Sequence, residues 1–314
     1  MKTDLGHLGV LVAGACATVD STPLSSPLTW QPQGTVLSAS SSVDSNSVLE
    51  PSVVYDGKFR MWFTCDVNVC YAESMDGKIW QRDSGWAISN HVHGYVLKNQ
   101  GQYYFFGASL EGHTQTIDMS TSVDGRTWQS PQPVLRLAKT SWDSIYFGNN
   151  AVWVEDAGLR NQEWKMLYEA LTPRGWSLGL AISDGGRIWI RASNHPVLVG
   201  FGGPMPFKRA NGTYIAWVHS AAFLPSDIYR TTSTDLIHWT KPILDLARTT
   251  PDEGVGSLVG QVADAQIVGK DYVTYLFYTA TPDGSDEGGG FHIKLATINR
   301  SLDYVLMMER PLSR

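Results

Sequence analysis

Ser74-Met75-Asp76-Gly77-Lys78-Ile79-Trp80 returns as Ser122-Val123-Asp124-Gly125-Arg126-Thr127-Trp128, about fifty residues further on. A third copy, residues 183–189, carries Gly185 where the Asp belongs, and a fourth, residues 233–239, keeps Asp235 but has Leu236 for the Gly. Self-similarity at this period marks a solenoid or a propeller. Asp-Gly between apolar runs signals a hairpin, because both central residues of a type I′ turn take positive φ. Each copy is therefore expected to be a tight turn leading into a strand that bears a large aromatic.

The residues before each copy complete a unit. Ser52-Val53-Val54-Tyr55, the turn Asp56-Gly57 and residues 58–64 read as two antiparallel strands. The same pattern recurs in 95–97 with 102–109, 151–154 with 164–170, 205–208 with 213–220, and 265–268 with 272–280. Five units of four strands predict an all-β chain folded as a five-bladed β-propeller, four antiparallel strands per blade. The fifth unit ends in a weak turn, Ser301-Leu302-Asp303, with 304–308 in the place of its last strand. Residues 29–37 resemble the post-turn segment 127–135 and are expected to pair with the last blade and close the ring. The division is an N-terminal extension over 1–45 and one propeller domain over 46–314.

Composition agrees. Charged residues make up only 17% of the 314-residue chain, against a usual quarter, and there are 12 Trp. That balance suits blade cores and stacking surfaces for a neutral ligand. A net charge of −6 without Lys/Arg runs speaks against nucleic acid and anionic membranes, and no apolar stretch is long enough to span a bilayer. The stretch 8–17 reads either as a short secretory signal or as a retained packed segment. Cys65 and Cys70 flank a hairpin tip and either pair or stay as buried thiols, with Cys16 left over. Location is open, with an extracellular or surface site favoured.

Propeller geometry turns this pattern into a site. The first strand of each blade starts beside the central axis, and the loops between second and third strands return to the same face. The Asp-Gly turns lie at the opposite face, which makes Asp76, Asp124 and Asp235 structural. Candidate functional residues are therefore those at blade openings: Glu50, His91, His93, Asn149, Asn150 and Asp264. His91 and His93 lie on one extended segment, and only one of them is expected to face the funnel. The loops add Asp66, Asn68, Glu111, His113, Glu169, Arg174, Trp176, His219, Asp227 and the acidic run 283–287. Trp176 is the first candidate for stacking on a sugar, whereas Trp217 alternates within a strand and suits blade packing. No compact spacing of metal ligands is present, so neither a metal nor another cofactor is expected.

The opening Leu49-Glu50-Pro51-Ser52-Val53-Val54-Tyr55-Asp56-Gly57-Lys58 and the Ser-x-Asp-Gly-x-x-Trp turn resemble the five-bladed glycoside hydrolases that include arabinanases, β-xylosidases, invertases and mannoside phosphorylases. The resemblance spans roughly residues 45–310 and implies a carbohydrate ligand. In the arabinanase–xylosidase group a carboxylate-Pro pair opens the first blade as the base, which Glu50-Pro51 matches with Glu in place of the usual Asp. That group has an Asp opening blade 3, where Asn149 and Asn150 stand here, and an acid Glu before Gly-Pro opening blade 4, where the chain reads Phe201-Gly202-Gly203-Pro204. Hydrolysis needs a second carboxyl group facing the first across the glycosidic bond. Glu169 is the first choice for it, at the end of an aromatic strand, and Asp264 the second. Two functions follow: a glycoside hydrolase acting on a glycan or small glycoside, or a non-catalytic glycan-binding or assembly propeller such as part of a surface filament or virion. A sialidase ranks third, because its repeated Asp-box has one more residue between Ser and Trp.

Overall fold

The computed structural model describes residues 27–39, 47–111, 115–138, 141–156, 162–221, 225–257, 259–282 and 290–307. The stretch 8–17, Cys16, His113 and the acidic run 283–287 lie outside them. The described residues form five antiparallel sheets in a ring, a five-bladed β-propeller.

Blade 1 is β2 (Leu49–Tyr55), β3 (Phe59–Cys65), β4 (Asn68–Ser74) and β5 (Gln81–Ile88), after a leading strand β1 (Gln31–Ser38). Blade 2 is β6 (His91–Asn99), β7 (Gln102–Ser109), β8 (Thr116–Ser122) and β9 (Gln132–Arg136). Blade 3 is β10 (Tyr146–Asp156), β11 (Gln162–Thr172) and β12 (Gly175–Ser183), with two short outer pieces, β13 (Ile190–Arg191) and β14 (Leu198–Val199). Blade 4 is β15 (Phe201–Lys208), β16 (Tyr214–Ser220), β17 (Ile228–Ser233) and β18 (Ile243–Leu246). Blade 5 is β19 (Gln261–Lys270), β20 (Val273–Thr281) and β21 (His292–Ile298). Its fourth strand is β1, antiparallel to β21 from Gln31 opposite Thr297 to Ser38 opposite His292. The segment in the place of a last strand is instead a short helix, α1 (Leu302–Met307), whose Val305 is buried in the core shared by blades 4 and 5.

The repeated turns differ from the expected hairpin. Six residues, not two, link β4 to β5. Gly77 has φ 77°, while Asp76 is not left-handed among the described residues. Asp76 Oδ1 accepts the N–H groups of Lys78 and Ile79, and Ser74 Oγ accepts that of Gly77. The Asp thus caps a wide turn rather than forming a two-residue one. Blades 2 and 4 repeat these bonds, and Leu236 takes the left-handed position with φ 67°. Trp80, Trp189 and Trp239 each donate to the carbonyl three residues back. In blade 2 the carbonyl of Gly125 accepts from Trp62 of blade 1 instead.

Five apolar clusters fill the gaps between neighbouring blades. Trp62, Tyr71, Tyr103 and Phe105 meet between blades 1 and 2, and Phe59, Phe63 and Phe277 between blades 5 and 1. Wedge-shaped gaps between twisted sheets suit large flat rings, which explains the aromatic content.

Candidate functional site

Each blade carries the same irregularity at the inner end of its first strand. From Leu49 to Ser52 three steps along β2 face two along β3, Thr64 to Trp62. The same extra residue occurs at Val92/Tyr95, Phe147/Asn150, Gly202/Met205 and Ala263/Gln266. These are β-bulges, which bend the strand and re-aim a side chain. The first bulge residue of the five blades is Glu50, His93, Gly148, Gly203 and Asp264. Glu50 and His93 both have φ 56°, and Gly203 and Asp264 both have 54°. A left-handed backbone costs a side-chain-bearing residue roughly 1–2 kcal/mol. Three ionisable residues bear that strain around one axis, and such outliers cluster at functional sites.

The strain aims Glu50 and His93 at each other. His93 Nδ1 lies 2.5 Å from Glu50 Oε1, while Glu50 Oε2 accepts the Thr64 hydroxyl at 2.6 Å and the His93 N–H at 3.1 Å. Burial alone would push the Glu50 carboxyl up, but these partners outweigh it and hold it below its ordinary 4.5. Burial opposes a charged His93, yet Glu50, with Glu169 and Asp264, raises it above its ordinary 6.5.

Asp264 is different. Burial dominates there, and with the charges of Glu50 and Glu169 it pushes the carboxyl up to about 6 against the pull of His219. Asn149 Nδ2 donates to Asp264 Oδ1 at 2.9 Å, and the Asp264 N–H donates to His219 Nδ1 at 3.3 Å. Glu50, Asn149, Asn150, Gly203, Asp264 and Gln266 line an axial pocket of about 10 Å³, the size of one water molecule. A larger cavity of about 390 Å³ adjoins Glu50 and is lined also by Thr64, Asp66, His93 and Tyr146. Glu50 is the carboxylate common to both.

Glu169, three residues before the end of β11, accepts N–H bonds from Asn149 at 3.1 Å and Gly203 at 3.3 Å. Its partners are thus the openings of blades 3 and 4 rather than Arg174. Two glycines make room for it: a Cβ at Gly202 would lie 2.0 Å from Glu169 Oε1, and one at Gly148 2.8 Å from Oε2.

The funnel therefore gathers Glu50, His93, Asn149, Asn150, Glu169, His219 and Asp264. Two sequence candidates are held elsewhere. His91 is buried inside blade 2, with Nε2 3.3 Å from Asp118 and Nδ1 on the Ser89 carbonyl. Asp227 binds the backbone and side chain of Arg248. Trp176 meets Tyr146 edge-on and flanks Gly148 beside Glu169. Trp217 is fully buried and donates to Asp245, a packing role. Thr64, Tyr146 and Gln266 were missed, since no motif marks them. The bulge register that brings them inward is a property of paired strands. Cys65 and Cys70 are joined by a disulfide that closes the β3–β4 hairpin next to Asp66 and Val67. Among the described residues no cluster suited to a metal occurs.

Neither a family model nor a curated protein sequence matches the chain. Solved structures do. A structure from the GH130 family of mannoside phosphorylases, a family described as containing glycoside hydrolases that target β-1,2 mannosidic linkages in Candida mannan, is 13% identical, with TM-score 0.66 over 89% of this chain and 95% of the other. A glycosyl hydrolase from Bacteroides ovatus is 14% identical, with TM-score 0.61 over 80% and 84%. A thermostable family-43 glycoside hydrolase is 11% identical, with TM-score 0.58 over 79% and 88%. The chain has the propeller fold of these glycoside hydrolase structures. Function has to be argued from the site itself.

Proposed function

We propose that this protein is a carbohydrate-active propeller that hydrolyses a glycosidic bond in a neutral glycan or small glycoside. The observation that carries the reading is the set of five bulges that turns Glu50, His93 and Asp264 onto one axis at the cost of backbone strain. Two carboxyl groups in opposite protonation states are what glycoside hydrolysis requires. Glu50, kept anionic by Thr64 and His93, serves as base or nucleophile. Asp264, which keeps its proton to about pH 6, serves as acid. This reverses the order expected from sequence: Glu169 is engaged by two backbone N–H groups and acts by holding the openings of blades 3 and 4 in place.

Water is the acceptor in this reading. None of the described residues lining either void is Lys or Arg, whereas a phosphate co-substrate calls for cations. One observation favours a second reading, a binding or assembly propeller: the axial pocket between Glu50 and Asp264 has room for a single water.

A panel of aryl glycosides and polysaccharides, assayed with wild type and Glu50→Gln, decides between them. A hydrolase loses on the order of 10²–10⁴-fold in kcat/KM on this change. Sugar binding without turnover on any substrate by the wild type would establish the second reading.

A further inference from the structure

The cavity beside Glu50 has a mixed lining. Thr64, Asp66, His93 and Tyr146 supply hydrogen-bonding groups, but Leu49, Val67, Val92 and Leu110 are aliphatic. Val67 and Leu110 are 46% and 39% exposed, the first in the β3–β4 loop and the second just past β7. They form an apolar rim at a mouth otherwise built for a polar ligand. A sugar hydroxyl turned against such a rim gives up water and finds no partner, whereas a methyl group placed there is favoured. Among the described residues the ionisable groups that line the cavity are Glu50, Asp66 and His93, and His93 is already paired with Glu50. An acidic sugar would meet two carboxylates and no free cation among them.

We infer that the sugar seated against Glu50 is a neutral 6-deoxyhexose, with its methyl group towards Val67 and Leu110. The inference rests on the glycosidase reading only in placing the reacting sugar in this cavity. Tyr146 provides a partner for a ring hydroxyl, and Asp66 accepts from a hydroxyl at the mouth.

Free monosaccharides are not turned over, so titration calorimetry or saturation-transfer NMR on the wild-type protein tests the inference directly. L-fucose and L-rhamnose are compared with L-galactose and L-mannose, which differ by one hydroxyl each, and with galacturonic acid and N-acetylglucosamine. At least one deoxy sugar is expected to bind roughly tenfold more tightly than its hydroxylated counterpart. Val67→Asn, a change on an exposed loop, should bring the pair to parity. Equal or tighter binding of the hydroxylated, acidic or acetamido sugars overturns the inference, as does failure of every sugar to bind. Deoxy preference without turnover of any aryl 6-deoxyglycoside would uphold it while sinking the hydrolase reading. Turnover confined to ordinary hexosides would do the reverse.

Discussion

At the scale of single residues, the protonation states of the funnel make opposite demands on pH. Glu50 has a lowered pKa, so its stabilising contribution is complete above 4.5 and fades as pH falls below that. His93 has a raised pKa, so its contribution is complete below 6.5 and is lost as pH rises through its folded value. The pair is at full strength between those limits. Asp264 is raised from 3.8 to about 6, so folding loses stability as pH climbs through that interval. Asp264→Asn should remove this penalty. The variant is expected to be more stable than wild type above pH 6, by about 1–3 kcal/mol, and to lose activity. Thermal melts of both proteins at pH 4 and pH 8 check this; a variant no more stable at pH 8 would refute the charge assignment. In the wild type, kcat/KM should fall as pH rises through about 6, when the acid gives up its proton. A profile flat from pH 6 to 8 would remove Asp264 from that role.

At the scale of elements, the strands were legible in the sequence and the bulges were not. Alternation of apolar residues, together with the Ser-x-Asp-Gly-x-x-Trp turns, marks where strands run and stop. Plain alternation would put His91 and His93, two positions apart, on one face; the bulge at His93 is what turns its side chain away from that of His91. The width of each turn and the bulge at each blade opening depend on which residue faces which across a pair, and one chain segment does not encode that alone. Glu169 illustrates the point. Its sequence position gives a strand end with aromatic neighbours, but its role depends on β10 and β15 presenting Gly148 and Gly202 to its carboxylate. Gly202→Ala should therefore be poorly tolerated although Gly202 is not left-handed, because the added methyl meets Glu169 2.0 Å away. The cost is expected at roughly 1–3 kcal/mol, with lower activity as the blade 4 opening shifts. Combining it with Glu169→Ala should recover most of the stability but not the activity. If Gly202→Ala alone melts like wild type in a denaturant titration, the close fit is not real.

At the scale of the whole molecule, closure is the step that makes five small sheets one cooperative body. A row of blades has two free edges, and each blade gains packing only from its neighbours. Here β1 supplies the outer strand of blade 5, pairing residues as far apart in sequence as Gln31 and Thr297. The segment leading to β1 is fastened to blade 4 by one buried carboxylate. Asp245 accepts the Leu28 N–H at 2.9 Å, the Trp30 indole at 3.0 Å and the Trp217 indole at 2.7 Å, with Arg230 Nε 3.6 Å away. Its side chain is fully buried, and Leu28 and Trp30 are buried with it. Asp245→Ala would strip three donors of their acceptor and weaken the charge balance around Arg230, a change worth about 3–5 kcal/mol. For a domain of this size the melting temperature should fall by roughly 6–20 °C. The loss should be greater than for Asp124→Ala, whose carboxylate caps an exposed turn in blade 2. Hydrogen exchange gives the sharper reading. Loosening of the latch should raise exchange first in β1 and β21, the closing pair, before the remaining blades open. Exchange rising evenly across all five blades, or an unchanged melting temperature, would mean that Asp245 does not fasten the ring.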